Sequence, residues 1–382
     1  MAVSGPLNGI TVVDLTRVLA GPYCTMILAE LGARIIKVEP PDGDDARRFG
    51  PFLARKSLYF ASLNRGKESI ALDLKDAAEK QIFLSLLKDA DILVENYRAG
   101  TMERLGLGWE TLHGRFPRLI YAATSGFGHS GPYAHRPAYD MVAQAMGGIM
   151  SLTGHPGGEP TRVGSSIGDI TAGLFTTIGI EAALLHREQT GKGMKVDVAM
   201  LDSQVAILEN AIGRYVATQE VPGPLGAQHP SIAPFGAFKA SDDYLILASA
   251  NEATFMRLCD ALDRPELAND PRFQENVLRV ENVEALKEEI ESALATRTKK
   301  EWLRIFEDAQ VPCSPINNVE DVLNDPQVLA RNMVIEIEDP EIGSFRAAGN
   351  PIKLSAFPES PTREAAPELD EDRERLVREN GD

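Results

Sequence analysis

One acidic side chain, Asp169, stands among glycines in the segment 163–173 and is the residue of this chain best suited to covalent chemistry. Glycines at positions 164, 168 and 173 leave room around the carboxylate and let backbone N–H groups approach a ligand closely. An accessible carboxylate can act as a nucleophile. The same aspartate comes just before a strongly periodic helical segment, so it also fits a helix N-cap. The two interpretations are compatible, because the start of a helix stabilises developing negative charge.

Basic and aromatic residues form a second group that could bind an anionic nucleotide. The run 95–98 reads Glu-Asn-Tyr-Arg, and Lys75, Arg104 and Arg136 add further cations to an acidic protein. Adenine stacks on aromatic and guanidinium planes, and phosphates pair with the forked head of arginine. The alternative is a solvated, charged face, which is what charge runs usually mark.

The remaining motifs argue against several classes of site. Arg17 follows the first apolar run and could meet an anion, but its loop lacks a GxGxxG fingerprint and equally fits a plain turn with Pro22 at the first helical position. The six histidines have neither HxH nor HExxH spacing, so no metal site is expected. Cys24 fits a buried, inert thiol, and the absence of GxSxG counts against an α/β-hydrolase.

The elements that must position these residues alternate between strands and helices over the first 200 residues. Short apolar runs that predict strands lie at 10–15, 33–38, 69–74, 91–95 and 118–124. Helical patterns lie between several of them, which indicates a parallel sheet covered on both faces. Ligands bind at the carboxyl ends of such strands, so we expect chemistry in the loops 16–21, 96–100 and 125–131.

A long helix is predicted over 170–187, ended by the glycines of the segment 190–193. A strand at 195–198 and a helix at 201–216 follow, and the proline- and glycine-rich stretch 222–234 indicates a domain boundary. A second unit then mixes strands and helices, and a hairpin is predicted around Gly343.

Composition limits the kind of partner. The 382 residues include 56 acidic and 39 basic side chains, giving a net charge of −17 that disfavours nucleic acid and anionic membrane surfaces. Three scattered cysteines suggest neither disulfides nor a zinc site, and fit a reducing cytosol. We expect no signal peptide, no transmembrane helix and a cytoplasmic location.

Blocks of sequence in conserved order resemble the class III coenzyme A (CoA) transferases, the family of formyl-CoA transferase and carnitine CoA-transferase. The resemblance covers residues 7–357, and each block is weak alone but specific in combination. The blocks are TVVDLTR at 11–17, AGP at 20–22, LGA at 31–33, IKVE at 36–39, NRGK at 64–67, LDLK at 72–75, VENY at 94–97, GFG at 126–128, GP at 131–132, AYD at 138–140, GD at 168–169, TGKG at 190–193 and VP at 311–312.

The resemblance implies a covalent mechanism with Asp169 as nucleophile and CoA as substrate and product, without a tightly bound cofactor. Attack on the donor thioester gives an aspartyl anhydride, the released thiolate converts it to an aspartyl-CoA thioester, and the acceptor acid reverses the sequence. Losing one backbone donor to such an oxyanion costs about 10²–10³ in rate. The CoA contacts that the resemblance implies are Val18, Leu72, Lys75, Asn96, Tyr97, Arg98, Arg104, Arg136, Tyr139 and Asp140.

Departures from formyl-CoA transferase point to another substrate pair. Pro40, Leu19 and Pro137 stand where that enzyme has a basic residue, a glutamine and a lysine. Its mobile glycine tetrad is matched here only by the segment 226–230. Several blocks resemble more closely the relatives that take acetyl-CoA or succinyl-CoA and a small dicarboxylate such as oxalate or glutarate. The expected substrate contacts are Arg17, Gly168, Gly226 and His229, and the second carboxylate would lie on Arg17 or His229.

The resemblance also implies an interlocked homodimer. Its α/β fold has a Rossmann-like large domain with a parallel sheet and a smaller α/β domain. The matching boundaries are 1–200 for the first part of the large domain, 201–225 for a linker helix, 226–330 for the small domain and 331–382 for a segment that returns to the large domain.

Two other functions remain open from sequence. A 2-methylacyl-CoA racemase of the same superfamily needs a histidine where Tyr139 stands, and tyrosine, with an ordinary pKa of about 10, is a poor base at neutral pH. A non-catalytic CoA-thioester-binding protein on the same scaffold is the second alternative. The retained Gly168-Asp169 pair weighs against it.

Overall fold

The computed structural model describes residues 4–380, which contain fourteen strands and seventeen α-helices. The strands are β1 (Thr11–Asp14), β2 (Arg34–Glu39), β3 (Phe52–Leu53), β4 (Lys56–Ser57), β5 (Glu68–Ala71), β6 (Ile92–Glu95), β7 (Ile120–Ser125), β8 (Lys195–Ala199), β9 (Phe235–Lys239), β10 (Tyr244–Ala248), β11 (Cys313–Pro315), β12 (Val334–Asp339), β13 (Gly343–Ala348) and β14 (Thr362–Glu364). The helices are α1 (Ala20–Glu30), α2 (Leu58–Asn64), α3 (Ala77–Leu86), α4 (Thr101–Arg104), α5 (Trp109–Arg115), α6 (Asp140–Met146), α7 (Ile149–Leu152), α8 (Ile167–Thr190), α9 (Met200–Ala206), α10 (Ala211–Thr218), α11 (Glu252–Ala261), α12 (Asn276–Glu281), α13 (Val283–Leu294), α14 (Lys299–Asp308), α15 (Val319–Asn324), α16 (Pro326–Ala330) and α17 (Arg373–Glu379).

A six-stranded, all-parallel sheet in the order β5-β2-β1-β6-β7-β8 forms the centre of the fold. The register of its middle is fixed by Val13, which lies opposite Ile36 on one side and Leu93 on the other. Apolar strands of this kind need helices on both faces. The prediction of a parallel α/β sheet is therefore confirmed.

The two faces of the sheet build separate cores, because successive strand residues point to opposite sides. Val13 and Leu93 pack on one face with Phe83 of α3. Val12 and Ile92 pack on the other face with side chains of α1 and α8, among them Cys24. Burial raises the pKa of the Cys24 thiol to about 12, so this cysteine is a core residue without nucleophilic character at neutral pH.

Helix α8 extends the expected helix by three residues at each end and finishes at Gly191, whose left-handed φ of +73° lets the chain turn away. Within residues 4–380 it is the one helix long and apolar enough to cross a membrane, although no such helix was expected from sequence. A buried core helix passes the same test. Ile180 and Ala183 pack fully buried against the sheet.

The chain divides into two compact units, each described here by itself. The first comprises the described residues up to Ser151, then Arg162–Val221 and the described residues from Pro326 onwards. Its C-terminal part returns to the sheet, where Ser69 of β5 donates its N–H to the Asp372 carboxylate at 2.9 Å. This part also carries a small sheet in the order β13-β12-β14, which contains the predicted hairpin around Gly343.

The second unit comprises Leu152–Thr161 and Pro222–Asp325. An antiparallel sheet in the order β11-β10-β9 packs with helices α11, α13 and α14 around Leu245, Phe255 and Trp302. The expected bounds of the small domain, 226–330, leave out the stretch 152–161. Its membership depends on contacts distant in sequence, such as the hydrogen bond from the Gly226 N–H to the Gly154 carbonyl at 2.8 Å.

The expected linker helix over 201–225 is two helices, α9 and α10. Glu209 lies between them with a left-handed φ of +54°, which interrupts the helical geometry. Hydrophobic periodicity continues across the break, so the pattern alone did not reveal it.

Candidate active site

A cavity of about 310 Å³ lies at the carboxyl ends of the central strands. It is formed by the loops after β1, β6 and β7 together with the start of α8. Strand order reverses between β1 and β6, and this reversal opens the crevice in which ligands of such sheets bind. The lining includes Arg17, Val18, Leu19, Ala20, Asp45, Asn96, Tyr97, Arg98, Arg136, Tyr139 and Asp169.

Asp169 lines this cavity from the first turn of α8. The N-cap position belongs to Ser166, so the alternative interpretation of Asp169 as the helix N-cap is not what the structure shows. Burial first, and the nearby charge of Asp140 second, raise the pKa of Asp169 to about 7. Near neutral pH the carboxyl is therefore divided between its neutral and its nucleophilic form.

Asp140 is not among the residues that line the cavity and instead binds the residue that precedes Asp169. Its Oδ1 accepts the backbone N–H of Gly168 at 2.8 Å, and its Oδ2 accepts the Gln144 amide at 2.7 Å. A Cβ on Gly168 would lie 3.0 Å from Oδ1, so glycine suits this close approach. Asp140, which was expected to contact CoA, thus fixes the start of α8. Its hydrogen-bond partner is Gly168, which was expected to contact the substrate.

The loops after β1 and β6 are joined by one amide. Asn96 accepts the backbone N–H of Arg17 at 2.9 Å and donates its own amide to the Arg17 carbonyl at 2.8 Å. Val18 follows with a left-handed φ of +66°. The two loops therefore form one wall of the cavity.

Exposed arginines give that wall a positive rim. Arg17 lies 3.5 Å from Asp45 and places its guanidinium 5.7 Å from the centre of the Tyr97 ring. Arg136 lies 4.6 Å above the Tyr133 ring, and Arg98 is exposed. Cations and aromatic planes that converge on one cavity fit an anionic ligand with an aromatic base.

Several expected contacts lie outside this lining. Leu72 is buried in the core of the sheet, and Lys75 is exposed. Arg104 reaches the rim indirectly, because it donates at 2.9 Å to the hydroxyl of Thr101, which does line the cavity. Tyr139 lines it and is 77% exposed.

Gly226 and His229 belong to the second unit. Gly226 has a left-handed φ of +63°, which a glycine adopts without cost. His229 donates its backbone N–H to the Phe235 carbonyl at 2.9 Å and stacks on the Phe235 ring at 5.2 Å between ring centres. Their expected contact with substrate stays a prediction.

Sequence reasoning missed Tyr59. Burial and the charges of Asp169, Asp44 and Asp140 raise the pKa of its hydroxyl to about 12, which places a neutral donor within electrostatic range of the nucleophile. Tyr59 belongs to α2, a seven-residue helix without an extended periodic pattern, and no local signal marked it.

Within residues 4–380 no three His, Cys, Asp or Glu side chains are grouped where they could hold a metal ion. The groups that line the cavity and could take part in chemistry are the carboxylate of Asp169, the tyrosines and the arginines. A carboxylate at a helix start, in a cavity that arginines also line, suits attack on the carbonyl of an anionic ester or thioester.

Comparisons with known proteins identify the family of the chain. The model of CoA-transferase family III matches residues 7–373. The acetyl-CoA:oxalate CoA-transferase of Acetobacter aceti is 48% identical over 96% of this chain and 94% of that protein. The succinyl-CoA:mesaconate CoA-transferase of Haloarcula hispanica is 40% identical over 99% of this chain and 97% of that protein.

A solved structure extends the likeness to the fold. The crystal structure of a CAIB/BAIF family protein from Brucella suis superimposes with a TM-score of 0.86 and 38% sequence identity, covering 98% of this chain and 99% of that one. The likeness in sequence and in fold extends over nearly the full length of the chain. The resemblance found in the sequence blocks is thereby confirmed, and the chain belongs to CoA-transferase family III.

Proposed function

We propose that this protein moves CoA from acetyl-CoA or succinyl-CoA to a small dicarboxylate such as oxalate, with Asp169 as the covalent nucleophile. The observation that carries the proposal is the position of Asp169, in the first turn of α8 and inside a cavity bordered by arginines. The named relatives transfer CoA between acids of this kind.

The proposed reaction conserves a thioester throughout. The Asp169 carboxylate attacks the donor carbonyl, the carbon–sulfur bond breaks, and an aspartyl anhydride and CoA thiolate result. The thiolate then attacks the aspartyl carbonyl, which releases the donor acid and leaves an aspartyl-CoA thioester. The acceptor carboxylate attacks that thioester, and the same two steps run in reverse. No ATP is consumed, because the bond broken and the bond made are equivalent.

The other residues divide between the two ends of the substrate. Arg98, Arg136 and Tyr97 line the rim and would hold the nucleotide, while Arg17 would hold the second carboxylate of the acid. CoA enters and leaves as a substrate, and no resident cofactor is proposed. We also propose a cytoplasmic homodimer as the working form.

Trapping of the covalent intermediate tests the nucleophile. The protein is incubated with acetyl-CoA or succinyl-CoA, digested, and analysed by mass spectrometry. We expect the peptide around Asp169 to gain the mass of CoA less one water, as a thioester requires, and the Asp169→Ala and Asp169→Asn variants to show neither the adduct nor transfer. Glu188→Gln, an exposed substitution at the far end of the same helix, is the matched control and keeps both. An alanine variant that transfers CoA as fast as the parent would refute the proposal.

A substrate panel tests the acid pair. Acetyl-, succinyl- and formyl-CoA are combined with oxalate, succinate, glutarate and malate, and the product thioesters are read by mass spectrometry. We expect acetyl- or succinyl-CoA with a dicarboxylate to give the highest kcat/KM. Arg17→Ala should raise the KM of the acceptor more than the KM of the donor, and equal KM values in parent and variant would remove Arg17 from this role.

A further inference from the structure

The loop between β1 and α1 has a backbone conformation that its sequence does not favour. Arg17, Val18, Leu19 and Ala20 all line the cavity, and Val18 sits at a φ of +66°. A β-branched residue in the left-handed region is strained, and such strain persists only where the surroundings hold it.

A buried ion pair holds the backbone that leads into that residue. The Asp44 carboxylate accepts the Val18 N–H at 3.1 Å, and Lys37 donates to the Thr16 carbonyl at 2.8 Å. Lys37 and Asp44 lie 2.9 Å apart, and both side chains are 0% exposed. The pair therefore binds the loop backbone on each side of Arg17, up to the N–H of Val18.

A second buried ion pair binds the backbone at the end of β1. Asp14 accepts the Thr16 N–H at 2.8 Å and lies 3.0 Å from Lys67, again with both side chains fully buried. The backbone of Thr16 is thus bound through its N–H and its carbonyl. Buried ion pairs contribute little net stability compared with apolar residues of similar volume. A role in fixing the geometry of the loop therefore explains these two pairs better than a role in stabilising the fold.

The loop held in this way abuts the helix that carries the nucleophile. A Cβ placed on Gly173, one turn after Asp169, would lie 2.7 Å from the carbonyl oxygen of Ala20. Leu19 is the N-cap residue of α1, and its side chain makes no capping hydrogen bond. A change in the Val18 backbone would therefore move the cavity wall relative to Asp169.

We propose that Lys37 and Asp44 are positioning residues for acyl transfer, which hold Val18 in its left-handed conformation and so fix the cavity wall against Asp169. This inference rests on the proposed function and adds to it a pair of residues that do not line the cavity.

Asp44→Asn is the direct test, because it removes the charge that faces Lys37 while keeping the shape and one acceptor. We expect kcat to fall at least tenfold, with the KM for acyl-CoA changed less than threefold, at a temperature where circular dichroism shows the parent fold. Asp44→Ser keeps an oxygen for the Ala46 N–H that Asp44 now accepts, and serves if the asparagine variant does not fold.

Combining Asp44→Asn with Val18→Gly distinguishes a positioning role of Asp44 from a general contribution to the stability of the fold. Glycine adopts the left-handed conformation without help, so Asp44 should matter less in its presence. We expect the tenfold loss caused by Asp44→Asn to shrink below threefold in the Val18→Gly background. Losses that simply multiply would overturn the proposal.

Asp91→Asn is a matched control at the other end of β1. Asp91 accepts the Thr11 N–H at 2.8 Å and lies 3.0 Å from the buried Arg187, so it has the same kinds of partner without lining the cavity. We expect it to lower the melting temperature and leave kcat unchanged.

The proposal fails if a folded Asp44 variant keeps kcat within twofold of the parent. It also fails if both Asp44 variants are unfolded at 10 °C, since the pair would then serve folding. Failure of the proposed function is a different result, in which the parent protein itself forms no Asp169 adduct.

Discussion

Burial of the Asp169 carboxyl group disfavours its ionised form. Burial and the neighbouring Asp140 raise its pKa to about 7, yet attack on a thioester needs the ionised form. The pKa of Asp169 thus lies near neutral pH, where the carboxyl group changes between its neutral and its ionised form. A higher pKa also makes a carboxylate more nucleophilic.

We predict that kcat/KM falls as the pH is lowered through about 7, where Asp169 takes up a proton. Above that pH the group is ionised, and the rate should reach a plateau. A rate profile between pH 5 and 9, with enzyme stability checked at each point, measures the inflection. A profile that is flat across neutral pH would contradict the assignment.

Asp140→Asn serves as the control for this inflection. It removes the like charge while leaving an oxygen for the Gly168 N–H, so the inflection should move to lower pH. Because burial is the larger cause, most of the shift should remain.

The same pKa predicts a cost in stability. The folded protein holds a proton on Asp169 more tightly than the unfolded chain does, where the ordinary value is 3.8. Stability is therefore lost as the pH rises from about 4 to about 7. Asp169→Asn should raise the free energy of unfolding at pH 8 by about 1–3 kcal/mol, and this gain should vanish near pH 4. Urea unfolding at both pH values measures the difference, and an equal gain at both would contradict it.

At the residue scale the sequence singled out Asp169, which lines the cavity, but revealed less of its surroundings. Asp169 was visible because glycines and a periodic helix flank it locally. Asp140 was expected to contact CoA but supports Gly168, and Tyr59 gave no signal, because both depend on contacts between segments distant in sequence.

Helices α1 and α8 pack closely enough to tie the cavity wall to the nucleophile. Gly173 allows this approach, because a Cβ there would meet the Ala20 carbonyl at 2.7 Å and the Tyr23 side chain at 3.2 Å. Backbone cannot move aside as a flexible side chain can, so the contact sets the spacing of the two helices.

We predict that Gly173→Ala destabilises the fold by about 1–3 kcal/mol, the usual cost of overpacking, and lowers kcat. The melting temperature and the kinetics of the variant measure both effects. Gly114→Ala is the control, since Gly114 lies within α5 with no atom within 4 Å of its added Cβ, and alanine favours a helix. A Gly173 variant as stable as the Gly114 variant would contradict the prediction.

Long, patterned elements were predictable and short ones were not. The strands β1, β2, β6 and β7 and the helix α8 lie where hydrophobic runs placed them, within a few residues. The segment between β2 and β5 holds the short β3, β4 and α2, whose two to seven residues are too few to show a period. That segment supplies both Asp44 and Tyr59.

The whole chain exposes apolar side chains that a lone soluble protein would bury. On α8 alone, Ile178 is 58% exposed and Leu185 is 69% exposed, with Leu174 and Phe175 nearby. Several large apolar side chains exposed on one helix are typical of an interaction site. In the homodimer that the family resemblance implies, a second copy of the chain would cover these side chains.

We predict that light scattering measures about twice the mass of one chain. Ile178→Asp would place a charge in the covered surface and should lower the measured mass or the solubility. Gln189→Asp, an exposed polar position on the same helix, is the control and should leave the mass unchanged. A parent protein that is monomeric at micromolar concentration would contradict the expectation.

Net charge gives an expectation at this scale without any knowledge of the fold. An excess of 17 negative charges disfavoured polyanionic partners, while the exposed arginines of one cavity leave room for a small anion. The division into units was harder to predict, because the stretch 152–161 belongs to the same unit as residues 222–325, which follow much later in the sequence.

The paired hydrogen bonds between Asn96 and Arg17 set a condition on redesign. Any chimera that transplants the segment after β1 from a relative, but leaves the one after β6, separates the amide from the backbone it was matched to. New acid preferences should therefore be grafted by exchanging the two segments together.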